Sequence, residues 1–393
     1  MKTTNLIIII ILMTILSLSA YSQTDFGNSN NIVRPVQISF ISPLGTNGME
    51  SGKVANNFSL NMIAGYSGGV EGLEIGGFYN IINGDITGLQ IGGFGNTAFG
   101  NTDGCQISGF SNINKKNVKG LQIAGFSNIV TDSVTGAQIA GFSNIVNGST
   151  TGLQLAGFSN YSKSISTGAQ IAGFSNINKD NAKGIQIAGF SNINAGDLKG
   201  VQISGFYNYT KKLTGAQIGF INVCDTVEDG IVLGFLSIVK KGYRAFEISG
   251  NETFYGVANF KTGTERFYNI ISVGARLHNN EIAWGWGYGL GTMFYVHEKI
   301  KLNFDIISYH VNHDAWWTNR LNLLNKVNLT ANYRLNEYIT IFAGPAWNIH
   351  VSDTYYNEGM LTTTSLVSWS SYDRTRNHTN VKMYPGFSCG VRF

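Results

Sequence analysis

From Gly72 to Gly230 a glycine returns at almost fixed intervals, 16 residues eight times and then 15 twice, at Gly72, Gly88, Gly104, Gly120, Gly136, Gly152, Gly168, Gly184, Gly200, Gly215 and Gly230. Each glycine opens a unit of the form G-[LAIV]-Q-I-A-G-F-S-N-I, followed by six variable and mostly polar residues. A constant period of this kind marks an architecture in which each unit is buried only by its neighbours. In the unit that starts at Gly120, Leu121 and Ile123 alternate with Gln122, which is the period of a strand. Gly125 and Phe126 mark a bend, and a second short strand is expected to use Ile129 and Val134. Two short strands and two turns fit the repeat, so each unit reads as one coil of a parallel β-solenoid. In the rival arrangement, one long strand per unit of an antiparallel meander, Gln and Asn would reverse direction from unit to unit, while the variable turn stays chemically alike.

Stacked coils place like residues above one another at about 4.7 to 4.9 Å, so eleven of them make a rod about 50 Å long. Phe78, Phe94, Phe110, Phe126, Phe142, Phe158, Phe174, Phe190 and Phe206 are expected to form an internal aromatic stack. Asn80, Asn96, Asn112, Asn128, Asn144, Asn160, Asn176, Asn192 and Asn208 form a ladder of amides that serves the backbone of the turns.

Outside the repeat the pattern changes to long alternating strands. In KVNLTANYRL, Val327, Leu329, Ala331, Tyr333 and Leu335 share one face and Lys326, Asn328, Thr330, Asn332 and Arg334 the other. In EIAWGWGYGLGTMFYV, aromatic and aliphatic residues face four glycines from Gly285 to Gly291. Strands of this length with one apolar face suit a membrane barrel. Candidates are 33–42, 55–66, 243–250, 253–261, 266–277, 281–296, 299–311, 322–335, 337–350 and 380–393. With the chain starting on the periplasmic side, the long loops (43–54, 312–321, 351–379) fall outside and the short turns at Thr262 to Glu265, His297 to Glu298 and Asn336 inside. Phe387, Cys389, Val391 and Phe393 alternate with Ser388, Gly390 and Arg392, and a last strand ending in Phe393 is similar to the signal that barrel assembly machinery reads in its clients.

The expected fold class is therefore all-β: a parallel β-solenoid of about eleven 15–16-residue coils combined with an antiparallel outer-membrane β-barrel of about ten strands. The expected segments are 1–22 signal peptide, 23–71 first barrel strands, 72–242 solenoid and 243–393 the remaining strands. The signal peptide is read from Lys2, the apolar run Leu6 to Leu18 and the small residues Ala20 and Ser22 before Gln23. With 49 Gly, 4 Pro, 24 Phe, 18 Tyr and only 13% charged residues the chain is poorer in charge than ordinary soluble proteins, as a lipid-facing protein would be.

The motifs VQISFISPLGTNG, GLEIGGFYNI, the GxQIAGFSN array and LNLLNKVNLTANYRLNEYITIFAGP resemble the surface-repeat outer-membrane proteins of Gram-negative bacteria, known by repeats of the GxQIGxxN kind. The resemblance covers nearly the whole chain after the signal peptide. It implies an envelope location and carries no activity, ligand or catalytic residue with it.

Catalytic chemistry is poorly represented. All six His lie at or beyond His278, so no repeat carries the His that solenoid acyltransferases need. His310 and His313, even with Asp314, point to opposite faces of a strand and read as loop residues rather than zinc ligands. Asp85, Asp132, Asp180 and Asp197 occupy different repeat positions, so a calcium-binding array is not indicated. Cys105, Cys224 and Cys389 read as small apolar fillers. No phosphate loop or GxSxG occurs, no cofactor is indicated, and a net charge of +4 without basic clusters gives no nucleic-acid partner. Lys115, Lys116, Lys179 and Asp180 read as solvated turn residues. Asp305, Lys326, Arg334 and Glu247 either line a passage or fill a closed lumen with salt bridges, and a narrow ten-stranded barrel favours the latter. The expected function is a non-enzymatic envelope protein of structural or interaction role. Its partners are outer-membrane lipid, the barrel assembly machinery and an unknown protein or glycan. A small plugged or gated pore and a secreted solenoid adhesin are the alternatives.

Overall fold

The computed structural model describes residues 32–278, 281–313, 316–357, 360–363 and 366–393, so the expected signal peptide lies outside the described residues. The chain divides after Ser164 into two compact units. The first is built of parallel β-coils. Each coil has a seven-residue strand such as Val118–Ala124 and a four-residue strand such as Ser127–Val130, joined at the Gly125-Phe126 bend. Val118–Ala124 pairs in parallel with Val134–Ala140 at a shift of one repeat, so Gln122 faces Gln138 and Gly120 faces Gly136. The antiparallel meander is thereby excluded. Val134 opens the next coil instead of closing the second strand, which ends at Val130.

Glycine makes the close stacking possible. Gly120 adopts φ 130°, which L side chains rarely tolerate, and a Cβ there would collide with the Gly104 carbonyl oxygen; Gly136 stands in the same relation to Gly120. A second glycine column, Gly109 to Gly125 to Gly141, has the same backbone contact at the bend. The inside of each coil is part apolar and part polar. Near the variable turn Val118, Val130, Val134 and Val146 form a dry cluster, whereas near the bend the interior is Gln122 and Asn128, each fully buried. Leu121, Ile123 and Ile129 look outward, half-buried.

Two segments expected in the barrel belong to these coils. Ile32–Ile41 pairs in parallel with Val54–Ser67, which pairs in parallel with Gly69–Gly76 and Tyr79–Ile82. The alternation of 33–42 and 55–66 is real strand alternation, but it serves the start of the solenoid. The reason is their inner face, where Gln37, Asn56 and Asn61 join the amide network of the coils. The coils of the two units make about 12 turns.

The second unit holds the coils from Ser166 to Val239 and an antiparallel sheet. Among the described residues its eight long strands are Tyr243–Asn251, Gly256–Thr264, Phe267–His278, Glu281–His297, Ile300–His313, Asn322–Arg334, Thr340–Asn357 and Thr379–Arg392. They coincide with the eight strands expected after residue 243. Each pairs with the next, and Thr379–Arg392 pairs with Thr340–Asn357 on one edge and with Tyr243–Asn251 on the other. The last coil, Leu236–Val239, would expose an open strand edge. Side chains from the outer face of the sheet cover it: Asn269 accepts from Ser237 N at 2.8 Å and donates to Gly234 O at 2.8 Å, and Thr262 donates to Ser237 O at 3.1 Å.

Gly120→Ala is expected to cost about 3 kcal/mol or more, through strained φ and backbone collision. Lys119→Ala on the solvent side, which removes only an exposed ion pair to Asp103, is expected to stay within about 0.5 kcal/mol. Denaturant unfolding of the two variants checks this; equal effects would contradict the stacking account.

Candidate functional site

The repeated residues form three columns, and each has its own chemistry. Along the glutamine column of the first unit the Nε2 atoms donate towards the chain start: Gln138 to Gln122 and Gln122 to Gln106 at 2.8 Å each, Gln106 to Gln90 at 2.9 Å. The asparagine column runs the opposite way, Asn96 to Asn112, Asn112 to Asn128 and Asn128 to Asn144, all at 2.9 Å. Each Asn spends its second N–H on a backbone carbonyl of the next coil, as Asn112 does on Ile123 O at 2.9 Å. The second unit repeats both patterns, with Gln202 donating to Gln186 and Asn192 to Asn208. Two opposed rows of amide dipoles thus lie side by side with nothing aimed outward. The backbone service expected of Asn80 to Asn208 is one of their two bonds.

The phenylalanine column differs from expectation. The rings do stack, Phe110 on Phe126 on Phe142 with centroids 4.8 Å apart, but Phe126 is 40% exposed and stands outside the coil. The inner side of the bend has no space for a ring: even a Cβ at Gly92 would meet Asn96 Oδ1 at 2.6 Å.

Glu74 stands at the head of the glutamine column. A row of donors that all point one way needs an acceptor at its first rung, and Glu74 accepts from Gln90 at 2.8 Å and from Asn61 at 3.1 Å. Its full burial raises the carboxyl to about 7, although the bonds from Gln90, Asn61 and Ser59 act to lower it. In the second unit Val232 follows Gln217 in the same column, and Gln217 Oε1 has no donor among the described residues.

The strands of the sheet put charge on one, buried face and apolar side chains on the other, exposed face. Lys261 Nζ lies 3.0 Å from Glu247 and 2.7 Å from Asp305, and Arg392 Nη2 lies 2.7 Å from Glu247. Tyr268 donates to Asp305 at 2.6 Å and accepts from Asn303 at 2.7 Å. A second pair, Lys326 with Glu252 at 2.6 Å, is joined by Asn348 at 2.8 Å. The glycines of Glu281–His297 make room for the large members: a Cβ at Gly287 would meet the Tyr309 ring at 2.7 Å. The two clusters are neutral, Lys261 and Arg392 against Glu247 and Asp305, and Lys326 against Glu252. The cavity among Glu247, Asn259, Asp305, Lys326 and Ser388 measures about 20 Å³, room for one water and no solute.

Of the expected lumen residues Glu247, Asp305 and Lys326 are buried in these clusters, whereas Arg334 is exposed at a strand end. Lys261 and Arg392 were legible as inward positions by alternation on their strands; Glu252 and Tyr268 carried no such signal. His310 bonds Thr318 O at 3.0 Å and stacks on Trp317, while Asp314 lies outside the described residues. Among the described residues no three His, Cys, Asp or Glu are grouped to hold a metal. The cysteines are free: Cys224 fills the apolar core of its coil, Cys105 faces outward half-buried and Cys389 is exposed.

Because the Glu74 carboxyl is raised, its protonated form is the one the fold favours. Its contribution is full below the ordinary carboxylate range and is lost as pH rises through about 7. The loss amounts to about 3 kcal/mol. Thermal unfolding across pH 4 to 8, pH values chosen to straddle about 7, is expected to show this decline in the natural chain and a flatter profile in Glu74→Gln; parallel profiles would contradict it. Lys261→Met leaves Glu247 and Asp305 facing each other without their shared cation, and is expected to cost about 3 to 5 kcal/mol. Urea unfolding measures it, and a cost below about 1 kcal/mol would show that the cluster is hydrated.

Comparison with family models, with curated proteins and with solved structures finds no match to this chain.

Proposed function

We propose that the chain is a non-enzymatic outer-membrane protein of the surface-repeat kind its motifs resemble, in which the antiparallel strands close into a lipid-facing barrel and the coils give the envelope a structural or interaction surface. One observation carries this reading, the inverted polarity of the sheet. Phe260, Ile271, Val273, Ile306, Leu329 and Trp347 point away from the interior at 42% to 50% exposure, while Lys261, Asp305, Lys326 and Glu247 are buried. In water this exposes apolar area at a loss; in a bilayer that cost vanishes, and the buried charges are offset by pairing with one another. The pairing of Thr379–Arg392 with both Thr340–Asn357 and Tyr243–Asn251 supports closure into a ring of eight, an even number as in such barrels. Among the described residues no helix is long and apolar enough to cross a membrane.

The alternation of loops supports a side. The long connections 313–322 and 357–379 lie at one end of the strands, with the short 251–256 and 278–281, and 264–267, 297–300 and 334–340 lie at the other, which has no long loop. The chain enters the sheet at Tyr243 from the short-turn end, so the coils that precede it lie on the periplasmic side. The filled interior favours a closed barrel over a pore.

The purified chain is expected to require detergent, to migrate faster on SDS gels before boiling than after, and to leave planar bilayers non-conducting after insertion. Steady single-channel conductance would favour the pore reading. A monomer soluble without detergent, with no shift on boiling, would favour a secreted adhesin and overturn the proposal.

A further inference from the structure

The coils of the second unit carry an apolar stripe that is exposed among the described residues. Four adjoining outward columns, those of Leu121, Ile123, Phe126 and Ile129 in the repeat, contain no Asp, Glu, Lys or Arg in any coil from Gly72 to Leu236. The charges of the repeat lie at the opposite corner, in the variable turn and at the Lys183 and Lys199 positions. Phe174, Phe190, Phe206, Phe220 and Phe235 are each at least 40% exposed along this stripe. An uncharged face of such length is larger than chance leaves on a soluble surface.

The end of the stripe says what covers it. Phe235 stacks on Tyr288 with centroids 4.6 Å apart, nearly the 4.9 Å of the preceding rung between Phe220 and Phe235. Tyr288 projects from the outer face of the sheet, between the exposed Trp286 and Leu290. It acts as the next rung of the column, so these coils meet the wall of the sheet from outside and their apolar columns run into its apolar face. Whatever solvent surrounds Trp286 and Leu290 also reaches Phe235.

We infer that the phenylalanine stripe is a membrane-docking surface: the coils next to the sheet lie along the leaflet on the short-turn side, with the phenylalanine edges among lipid acyl chains and the lysine corner in water. This rests on the reading of the sheet as a bilayer-spanning barrel. The arrangement matches that of an interfacial amphipathic helix, one apolar side and one charged side, built from stacked coils.

The test uses the full chain with Cys105, Cys224 and Cys389 replaced by Ala, reconstituted into phosphatidylcholine vesicles with and without a lipid carrying a nitroxide near the headgroup. A polarity-sensitive fluorophore is attached at one new cysteine at a time: Phe190→Cys and Ile203→Cys on the stripe, Lys183→Cys on the charged corner and Leu329→Cys on the sheet. The expected result is blue-shifted emission at both stripe positions, lost in the nitroxide lipid, with no loss at Lys183→Cys. If Leu329→Cys is quenched but both stripe positions emit as in water, the docking inference falls and the barrel stands. If Leu329→Cys is not quenched either, both fall. If the stripe labels are blue-shifted without nitroxide quenching and the same cysteines crosslink between copies, a second copy of the chain covers the stripe and the inference is overturned. The two stripe positions guard against a single substitution that disturbs folding.

Discussion

A buried amide that must bond its own kind one rung away is what the rest of the coil obeys. Gln122 and Asn128 are fully buried, so their hydrogen bonds must come from protein groups, along the columns from Gln106, Gln138, Asn112 and Asn144. That requirement fixes the register, because a slip of one residue would put Leu or Ile where an amide is needed. It also fixes the spacing: amides bond at 2.8 to 2.9 Å only if coils approach as closely as strands in a sheet. The approach in turn demands glycine at Gly120 and Gly125, where backbone touches backbone. The repeated G, Q, G and N of the unit are one constraint expressed at four positions.

Polar interiors force apolar residues out. Each coil has a limited inside, and once amides occupy its bend end, Phe126 and Ile123 have no place but the surface. The antiparallel sheet reaches the same inversion by another route, with Lys261, Glu247, Asp305 and Arg392 neutralising each other inside and aromatic and aliphatic residues outside. Both parts suit a surrounding medium that is apolar on one side and aqueous on the other.

The repeat itself was plain in the sequence because period is independent of orientation. Its orientation was not. Alternation shows that Leu121 and Ile123 share a face and Gln122 takes the other, but the habit of burying the apolar face gives the wrong answer when the amides form a continuous ladder. Phe126 was misplaced for the same reason. The strands after Tyr243 were legible as strands, although 337–350 runs on to Asn357 and 253–261 starts only at Gly256, since their length and alternation need no knowledge of partners. The strands Ile32–Ile41 and Val54–Ser67 were legible as strands but not as coils, because their partner is set by Asn61 meeting Asn80 and Glu74 across non-local pairing. Glu74 was visible as a departure from Gln in the repeat, yet its meaning depends on which way the amide row points.

The central claim is that the sheet turns its apolar face to lipid. Spin labels at six successive single-cysteine positions from Lys326 to Ala331, in the chain freed of native cysteines and reconstituted in bilayers, test it most directly. The account requires a period of two: labels at 327, 329 and 331 collide with oxygen dissolved in the acyl region, and those at 326, 328 and 330 are shielded from it. Access of a water-soluble nickel chelate to 327, 329 and 331, or the absence of any alternation, would contradict it.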